Sequence, residues 1–365
     1  MKRSKLSVCA ATVAIGVSIA GCSVASRAVT TRNDDHSRPC DIYGRAGTPC
    51  VAAHSTTRAL YAAYHGPLYQ VTRLSDGKTR DIGLRAPSGT ADADEQDEFC
   101  AGTRCTVTRI YDQSPMHNDL TIEGPGKMAG ADAGVWAAAL PVRVGGQKAY
   151  GLFFEGGMGY RNNRTRGVAR ASQPETIYMV ASGTHVNARC CFDYGNTEVT
   201  NDDTGNGHMD AVNLSFICGT RRVCLGRGPW VQADLENGLF MSARGGNAGS
   251  SYRGSPSPFV TALLKNDGRN FFALKAGNAQ QGDFEQIYRG HEPLWKPGYS
   301  PMHQEGGIVL GTGGDNTNVS IGSFFEGVMT KGVSSPEADA AVQANIVAAG
   351  YRLPSTRYTQ VPNSQ

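Results

Sequence analysis

The sequence predicts an all-β protein built from antiparallel strands, arranged as a sandwich or a barrel. Its 365 residues include 46 glycines and 17 prolines, which indicates many tight turns, while only 18% of residues are charged. Short apolar segments alternate with clusters of Gly, Asn, Asp, Pro and Ser, a spacing typical of strands joined by turns. The hydrophobic fraction of 40% can support a core and disfavours disorder.

Eight segments have the composition of strands, and in chain order they are 69–74, 106–111, 176–181, 230–235, 259–264, 271–274, 308–310 and 324–330. Two segments are predicted to be helices, 55–64 and 336–349. In the second, Ser335 is the expected N-cap, Pro336 takes the first helical position and Gly350 ends the helix.

The N-terminus has the pattern of an export signal. Lys2, Arg3 and Lys5 precede an apolar run over 6–19, which is shorter than the roughly 20 residues that a membrane-spanning helix needs. The run ends in Ile-Ala-Gly-Cys, which resembles a bacterial lipobox and predicts a lipid anchor on Cys22. An ordinary signal peptide, cleaved nearby after a small residue, is the alternative.

These patterns divide the chain into a signal peptide with lipobox (1–22), a flexible tether (23–39), one domain (40–352) and a C-terminal tail (353–365). The formal net charge of +3 is carried entirely by the first 21 residues, so the remainder is neutral. A nucleic-acid partner is therefore not expected.

Ten cysteines are present, and those at positions 9 and 22 lie in the export signal. The other eight form neighbouring pairs, which favours four local disulfides: Cys40–Cys50, Cys100–Cys105, Cys190–Cys191 and Cys218–Cys224. The adjacent pair leaves two possibilities open. Its cysteines either close on each other in a small strained ring, or point to opposite faces and pair elsewhere or stay reduced. No spacing matches a zinc site, so no metal is expected.

Two segments carry candidate chemistry. Along 230–236 the alternation puts Asp234 and Glu236 on one strand face, about 7 Å apart, just before an Asn237-Gly238 hairpin turn. In a partly desolvated cleft, repulsion between them would raise one pKa, which suits acid–base or nucleophilic work; on a solvated outer face they would be ordinary acids. The second segment, 311–316, is a Gly-rich turn with Asp315 at its tip, and a plain turn is the alternative.

Other chemistry is less well supported. The Gly-rich turn lacks the Lys-Ser/Thr pair and the following helix of a phosphate loop. His54-Ser55 lacks a surrounding GxSxG elbow, which disfavours a serine hydrolase. Met209, as an isolated methionine, is more often a core residue than a ligand-facing one.

Taken together, these segments resemble the α-L-arabinofuranosidases of glycoside hydrolase family 54, from about residue 39 to residue 352. The segments that carry the resemblance are 39–43, 50–61, 110–114, 145–151, 190–196, 228–230, 313–316 and 325–329. The resemblance covers the catalytic domain without the C-terminal arabinose-binding module of the fungal members. It implies a concanavalin-like antiparallel β-sandwich, or jelly roll, with a few short helices.

By position, the resemblance implies that Glu236 is the nucleophile and Asp315 the general acid/base of a retaining glycosidase. It also implies that Cys190 and Cys191 are bridged and shape the wall of the sugar subsite. The other positions that line this subsite correspond to Asp234, Asn237, Met209 and Gly314. This chemistry needs no cofactor.

The resemblance thus implies an exo-acting enzyme that releases arabinose from arabinan or arabinoxylan, and the N-terminal pattern predicts that it is exported and anchored to a membrane through Cys22. One difference is the stretch 216–224, which has no tryptophan where the family stacks one on the sugar, and Phe216 is a weak substitute. Two alternatives stay open: a β-xylosidase or other furanosidase using the same site, and a non-catalytic carbohydrate-binding surface lipoprotein.

Overall fold

The computed structural model describes residues 37–218, 224–236, 238–241, 251–291, 293 and 302–354. Within these residues the helices are α1 (Pro39–Arg45), α2 (Ala93–Phe99) and α3 (Pro336–Ala348). The strands are β1 (Cys50–Ser55), β2 (Tyr69–Arg73), β3 (Thr79–Ile82), β4 (Leu84–Arg85), β5 (Thr90–Ala91), β6 (Cys105–Ile110), β7 (Leu120–Ile122), β8 (Leu140–Val144), β9 (Gln147–Phe154), β10 (Tyr160–Asn162), β11 (Glu175–Ala181), β12 (Asp193–Thr197), β13 (Asp210–Ser215), β14 (Trp230–Asp234), β15 (Leu239–Phe240), β16 (Val260–Asn266), β17 (Phe272–Asn278), β18 (Gln281–Gly290), β19 (Gly307–Leu310) and β20 (Gly322–Lys331).

Two large antiparallel sheets make up the fold. One has the order β18-β17-β16-β11-β20-β9-β8, with β1 also paired to β20. The other has the order β15-β14-β13-β12-β19-β10-β7-β6-β2-β3. The sheets face each other, with β13 packed against β11 and β16, and β14 against β17. The expected antiparallel sandwich is confirmed.

The central strands of the first sheet are buried on both of their faces. Every residue of β11 and of β16 is buried, although alternation would leave one face of an uncovered sheet in water. The outer face of this sheet is covered in part by α3, which packs on β18 and on α1. Lys265 and Lys275 reach this helix and contact the Asp339 carboxylate at 2.5 and 2.6 Å.

The eight predicted strands are all present, with ends that differ from the predicted ones by up to four residues. The C-terminal helix is also confirmed, and the Ser335 hydroxyl accepts a hydrogen bond from the Ala338 N–H at its first turn. The predicted helix over 55–64 is wrong, because β1 runs to Ser55 and turns follow it. The sequence prediction did not include α1 and α2.

The residues after β1 do not form a helix because their polar side chains bond to distant parts of the fold. Thr56 Oγ1 donates to the Tyr150 carbonyl at 2.8 Å. Arg58 is fully buried and forms two hydrogen bonds, of 2.5 and 2.8 Å, with the Glu326 carboxylate. Burial by itself would raise the pKa of Glu326, but the Arg58 charge and hydrogen bonds to it outweigh burial and lower that pKa.

All four expected disulfides are present: Cys40–Cys50, Cys100–Cys105, Cys190–Cys191 and Cys218–Cys224. For the adjacent pair, the ring-closed alternative is therefore the one found, and a cis peptide bond joins its two cysteines. The first two disulfides tie α1 to β1 and the end of α2 to β6, so they fix short elements at the periphery of the sheets. Among the described residues, no helix combines the length and apolarity that crossing a membrane requires.

Candidate active site

Four neighbouring strands of the ten-stranded sheet, β14, β13, β12 and β19, form the base of the candidate site. Val212 and Ala233 on one face of these strands belong to the main hydrophobic core. On the opposite face, register places Asp234 across from Ala211. Met209, Ala211 and Val309 form a separate small cluster on that face, so Met209 lies under the candidate site and outside the core between the sheets.

Asp234 ends β14, and Glu236 lies in the tight connection to β15. Their exposed fractions are 7% and 8%, so the solvated-face alternative for this strand is wrong. The Glu236 N–H donates to Asp234 Oδ1 at 3.1 Å. Glu236 also has a left-handed backbone with φ of 63°, which is uncommon for a residue with a side chain and concentrates at functional sites. Asn237, the next predicted site residue, lies outside the described residues.

The Cys190–Cys191 disulfide packs directly on Asp234. Cys191 Sγ lies 3.3 Å and Cys190 Sγ 3.9 Å from Asp234 Oδ2. The three atoms are close enough to suggest a metal site, but two sulfurs bonded to each other are not the thiolates that metals bind. The Cys191 N–H also donates to the Thr317 carbonyl at 3.1 Å, which connects the disulfide to the Gly-rich turn.

The Gly-rich turn follows β19 and holds Asp315 half-buried at its tip. Asp315 Oδ1 accepts hydrogen bonds from the Thr317 N–H at 3.0 Å and from the Thr317 hydroxyl at 2.6 Å. Its carbonyl accepts from the Met128 N–H at 3.0 Å. The carboxyl group is therefore fixed in direction by its own turn while one side of the residue stays accessible.

Gly314 is a position where a side chain does not fit. A Cβ there would lie 2.1 Å from Glu198 Oε2 and 2.9 Å from Thr197 Oγ1. The Gly314 carbonyl accepts a hydrogen bond from Arg161 Nη1 at 2.7 Å, which holds the backbone in this place. Glycine thus lets the turn that carries Asp315 approach the end of β12 closely.

Two buried acids of this site were missed by the sequence analysis. Asp193 begins β12 and Glu198 directly follows it, and both are fully buried. Burial and the charge of Asp234 raise the pKa of Asp193, and burial and Glu198 raise the pKa of Glu236. Asp193 lies within the Cys-Cys segment 190–196, but no alternation of polar and apolar residues along β12 marks either acid.

Three carboxyls of this site, those of Asp193, Asp234 and Glu236, hold protons more tightly than ordinary acids. Burial, followed by the hydrogen bond and charge of Glu198, raises the pKa of Glu236 to about 11. Burial is also the main reason that the pKa of Asp234 is raised to about 7 and that of Asp193 well above its usual range. Among the described residues, no ion pair with Lys, Arg or His includes any of these acids.

The structure therefore brings together Asp234, Glu236, the Cys190–Cys191 disulfide, Gly314 and Asp315, with Met209 beneath them. Carboxyls that hold protons near and above neutral pH can act as acids, bases or nucleophiles. Glu236 lies just after the end of β14, and Asp315 lies on the turn after β19. This arrangement suits a reaction that needs two carboxyl groups carried by different segments of the chain.

Comparisons with known proteins agree with this chemistry. The family model described as "Alpha-L-arabinofuranosidase B, catalytic" matches residues 39–352. A protein of Emericella nidulans named "Alpha-L-arabinofuranosidase B" is 48% identical over 346 residues, 91% of this chain and 66% of its own length. One of Trichoderma koningii named "Arabinofuranosidase/B-xylosidase" is 51% identical over 86% of this chain and 63% of its own length.

A solved structure titled "GH54 a-l-arabinofuranosidase soaked with cyclic sulfate inhibitor" superimposes with a TM-score of 0.79 at 45% identity. It covers 87% of this chain and 66% of the solved chain. The present chain thus spans a little under two thirds of the length of the curated relatives that it matches.

Proposed function

Because the chain belongs to glycoside hydrolase family 54, we propose that it is a retaining, exo-acting α-L-arabinofuranosidase. Its substrates are the arabinose side chains of arabinan or arabinoxylan. The observation that carries the proposal is the position of the Cys190–Cys191 disulfide. Cys191 Sγ lies 3.3 Å from Asp234 Oδ2, and the Cys191 N–H donates to the carbonyl of Thr317, whose hydroxyl holds the Asp315 carboxyl. The two proposed catalytic carboxyls therefore lie on separate elements that both adjoin this disulfide.

In the proposed mechanism, the ionised Glu236 carboxylate attacks the anomeric carbon of the arabinofuranosyl group. The bond from that carbon to the leaving oxygen breaks, and Asp315 gives its proton to this oxygen. A water molecule then attacks the same carbon while Asp315 takes a proton from it. The ester bond to Glu236 breaks, which releases arabinose and restores both carboxyls.

The other predicted residues have proposed roles in holding the sugar. Asp234 accepts hydrogen bonds from sugar hydroxyls and influences Glu236 through the backbone N–H that it holds. The Cys190–Cys191 disulfide and Met209 supply apolar surface on two sides of Asp234. Gly314 lets the sugar approach the backbone, and Asn237 is proposed as a hydrogen-bonding residue next to the nucleophile.

The test is release of arabinose from arabinan by the wild type and by the Glu236→Gln and Asp315→Asn variants. We expect each variant to lose several orders of magnitude in kcat, because each removes one partner of the double displacement. Asp76→Asn, at an exposed acid beyond β2 in the same sheet, is the matched control and should retain wild-type activity. Near-wild-type turnover by either site variant would overturn the role proposed for that residue.

A second candidate is β-xyloside hydrolysis at the same site, which is favoured by the similarity to a relative whose name includes xylosidase activity. Turnover of aryl arabinofuranoside, xyloside and galactofuranoside separates these specificities. If the arabinofuranoside is not cleaved, the first candidate fails. Equal carbohydrate binding by wild type and Glu236→Gln, with no turnover by either, would indicate the non-catalytic surface lipoprotein instead.

We also propose that the protein is exported, with a domain over 40–352 that is tethered by 23–39 to a lipid anchor at Cys22. Four disulfides support an oxidising compartment. The charged and apolar N-terminal pattern supports export, although Cys22 lies outside the described residues. Labelled palmitate should attach to the wild type and not to Cys22→Ala; labelling that persists in the variant would refute the anchor.

A further inference from the structure

We propose that the facing loop (residues 124–130) and a polar cleft beside it bind the uncharged main-chain sugars from which arabinose is removed. Met128 contacts the sugar that carries the arabinose, and the cleft binds the next sugar of the main chain. The inference rests on the function proposed above and deepens it, because it names the part of the site that holds the leaving group. Its basis is the set of contacts that fix the facing loop against the turn that carries Asp315.

The Gly-rich turn contacts different parts of the fold at its base and at its tip. At the base, the Thr317 carbonyl accepts from the N–H groups of Gly313 and Cys191, both at 3.1 Å. At the tip, the Asp315 carbonyl accepts from the Met128 N–H at 3.0 Å. Because the proposed arabinose subsite adjoins the disulfide at the base, the sugar beyond the leaving oxygen has to extend past the tip, where the facing loop lies.

The facing loop is held in one position against this tip. Asn316 Nδ2 donates to the carbonyls at both ends of the loop, those of Gly124 at 3.3 Å and Gly130 at 2.8 Å. A Cβ on Gly126 would lie 2.6 Å from Asn316 Cβ and 2.8 Å from the Asp315 carbonyl oxygen, so the two segments pack as closely as glycine allows. A surface attached this closely to the proposed general acid/base can orient a substrate toward it.

Met128 presents an exposed apolar side chain from this fixed backbone. Its exposed fraction is 61%, while its own N–H is bonded to Asp315 and the Lys127 N–H donates to the Asn201 carbonyl at 3.1 Å. Isolated apolar side chains are common on protein surfaces, so exposure alone does not indicate a site. What distinguishes Met128 is its attachment to the proposed acid/base, together with a flexible thioether that adapts to the C–H face of a sugar.

A polar cleft of about 420 Å³ begins at the same loop. Gly124 of the loop lines this cleft, together with Asn162, Asn163, Arg164 and Asn201. Its volume lies within the range of small-ligand sites. Amide groups both donate and accept hydrogen bonds and a guanidinium donates several, which matches the hydroxyls and ring oxygen of an uncharged sugar. The cleft therefore suits the second main-chain sugar.

Arg161 connects the cleft to the Gly-rich turn. It lines the cleft, and its Nε donates to Asn163 Oδ1 at 2.6 Å. Its Nη1 donates to the carbonyl of Gly314, the residue before Asp315, at 2.7 Å. Asn163 Nδ2 in turn donates to Asn201 Oδ1 at 2.5 Å. The amides of the cleft are thus fixed relative to Asp315, which favours productive binding of a long leaving group.

This arrangement predicts that substrates with longer leaving groups react faster. Main-chain sugars that bind beyond the leaving oxygen contribute binding energy that a methyl leaving group cannot supply. The kcat/KM for a singly arabinosylated trisaccharide should therefore exceed the kcat/KM for methyl α-L-arabinofuranoside. The ratio of these two values measures the contribution of the facing loop and the cleft.

The test measures this ratio in wild type, Met128→Ala and Arg164→Ala, with xylotriose and with linear arabinotriose as the arabinosylated main chain. We expect Met128→Ala to lower the ratio about fivefold to tenfold, because it removes apolar surface that the first sugar covers. Arg164→Ala should lower it about threefold to tenfold through loss of hydrogen bonds. Both side chains are exposed, so both variants should fold with the wild-type Tm. The main chain that gives the larger fall is the one that the subsite recognises.

Leu74→Ala is the matched control. Leu74 is also an exposed apolar residue, with an exposed fraction of 57% and its N–H bonded to the Arg104 carbonyl at 2.9 Å. It follows β2, which lies toward the other edge of the ten-stranded sheet from β14, so its replacement should leave the ratio unchanged. A ratio that Met128→Ala leaves unchanged with both main chains would overturn the role of the facing loop, and the same result for Arg164→Ala would overturn that of the cleft. An equal fall in Leu74→Ala would overturn both roles.

Binding of unbranched xylotetraose and linear arabinotetraose gives a readout that does not depend on turnover. Isothermal titration of Glu236→Gln should show saturable binding of at least one of them, weakened about fivefold or more in Glu236→Gln/Met128→Ala. If the wild type cleaves no arabinofuranoside but this binding depends on Met128, the proposed function fails and the main-chain subsite stands. If the wild type cleaves arabinofuranosides but neither the ratio nor the binding depends on Met128, the subsite fails alone.

Discussion

Two groups of buried carboxyls in this protein differ in what surrounds them. Glu326, in the middle of the eight-stranded sheet, meets the Arg58 guanidinium and the hydroxyls of Tyr178 and Tyr351, at 3.1 and 2.6 Å. Glu236, at the edge of the ten-stranded sheet, lies near the carboxyl of Glu198. The pKa of Glu326 is lowered, and that of Glu236 is raised to about 11.

The difference shows that burial alone does not identify a reactive acid. At Glu326, burial is outweighed by a matched cation and by hydroxyl donors, so the group is fixed in one charge state and contributes to structure. At Glu236, burial is reinforced by other acids, so the protonation state can change during a reaction. Glu326, the less exposed of the two acids, is the structural one, whereas Glu236, the proposed nucleophile, keeps some contact with solvent.

The largest expected effect comes from removing the cation of the structural group. Arg58→Met leaves Glu326 as an uncompensated buried charge and should lower the free energy of unfolding by about 3–5 kcal/mol. Glu236→Gln, which removes one of two facing acids, should leave stability unchanged or slightly increased. Urea unfolding at pH 7 measures both. The double variant Arg58→Met/Glu326→Leu should recover most of the loss, and equal destabilisation by Arg58→Met and Glu236→Gln would contradict the comparison.

A smaller effect is expected from a methyl group placed between the proposed catalytic elements. In Gly314→Ala the new Cβ would clash with Glu198 at 2.1 Å, so the turn that carries Asp315 must move, and kcat/KM should fall by about 10²-fold. Gly313→Ala is the matched control, because its nearest atom, Cys191 Sγ, would lie at 3.3 Å. Similar losses of kcat/KM in both variants would contradict this prediction. They would show that the turn tolerates no side chain at either position, and not that close contact with Glu198 fixes the position of the turn.

The smallest expected effect is on the pH dependence of stability. The pKa of Asp234 is raised from 3.8 to about 7 in the folded state, so protonated Asp234 stabilises the folded protein. This contribution to the free energy of unfolding is lost as pH rises from about 4 to about 7. Asn does not ionise, so Asp234→Asn does not lose stability in this way. The Tm of the variant minus that of the wild type should therefore increase from about pH 4 to about pH 7. Thermal unfolding across this range tests it, and parallel curves would contradict the raised pKa.

The sequence predicts the strands well, because alternation and turn residues are local properties. It fails at 55–64, because Ala59, Leu60 and Tyr61 have the composition of a helix. The neighbouring Arg58 instead forms an ion pair with Glu326, which lies 268 residues further along the chain. Similarly, Asp234, Glu236 and Asp315 were found from local patterns and family resemblance. Glu198 was not, since its proximity to Glu236 depends on the register of three strands and on the close approach that Gly314 permits.

The pairing of β1 with β20 also constrains how the protein can be made. Ser55 lies opposite Glu326 and His54 opposite Gly327, so the first strand of the described fold can pair only after the last one has been synthesised. Contacts this distant along the chain form slowly and cannot form before synthesis is nearly complete. We therefore expect the eight-stranded sheet to stay incomplete until β20 has been synthesised. An incompletely folded chain can pass through a narrow channel, which suits the proposed export.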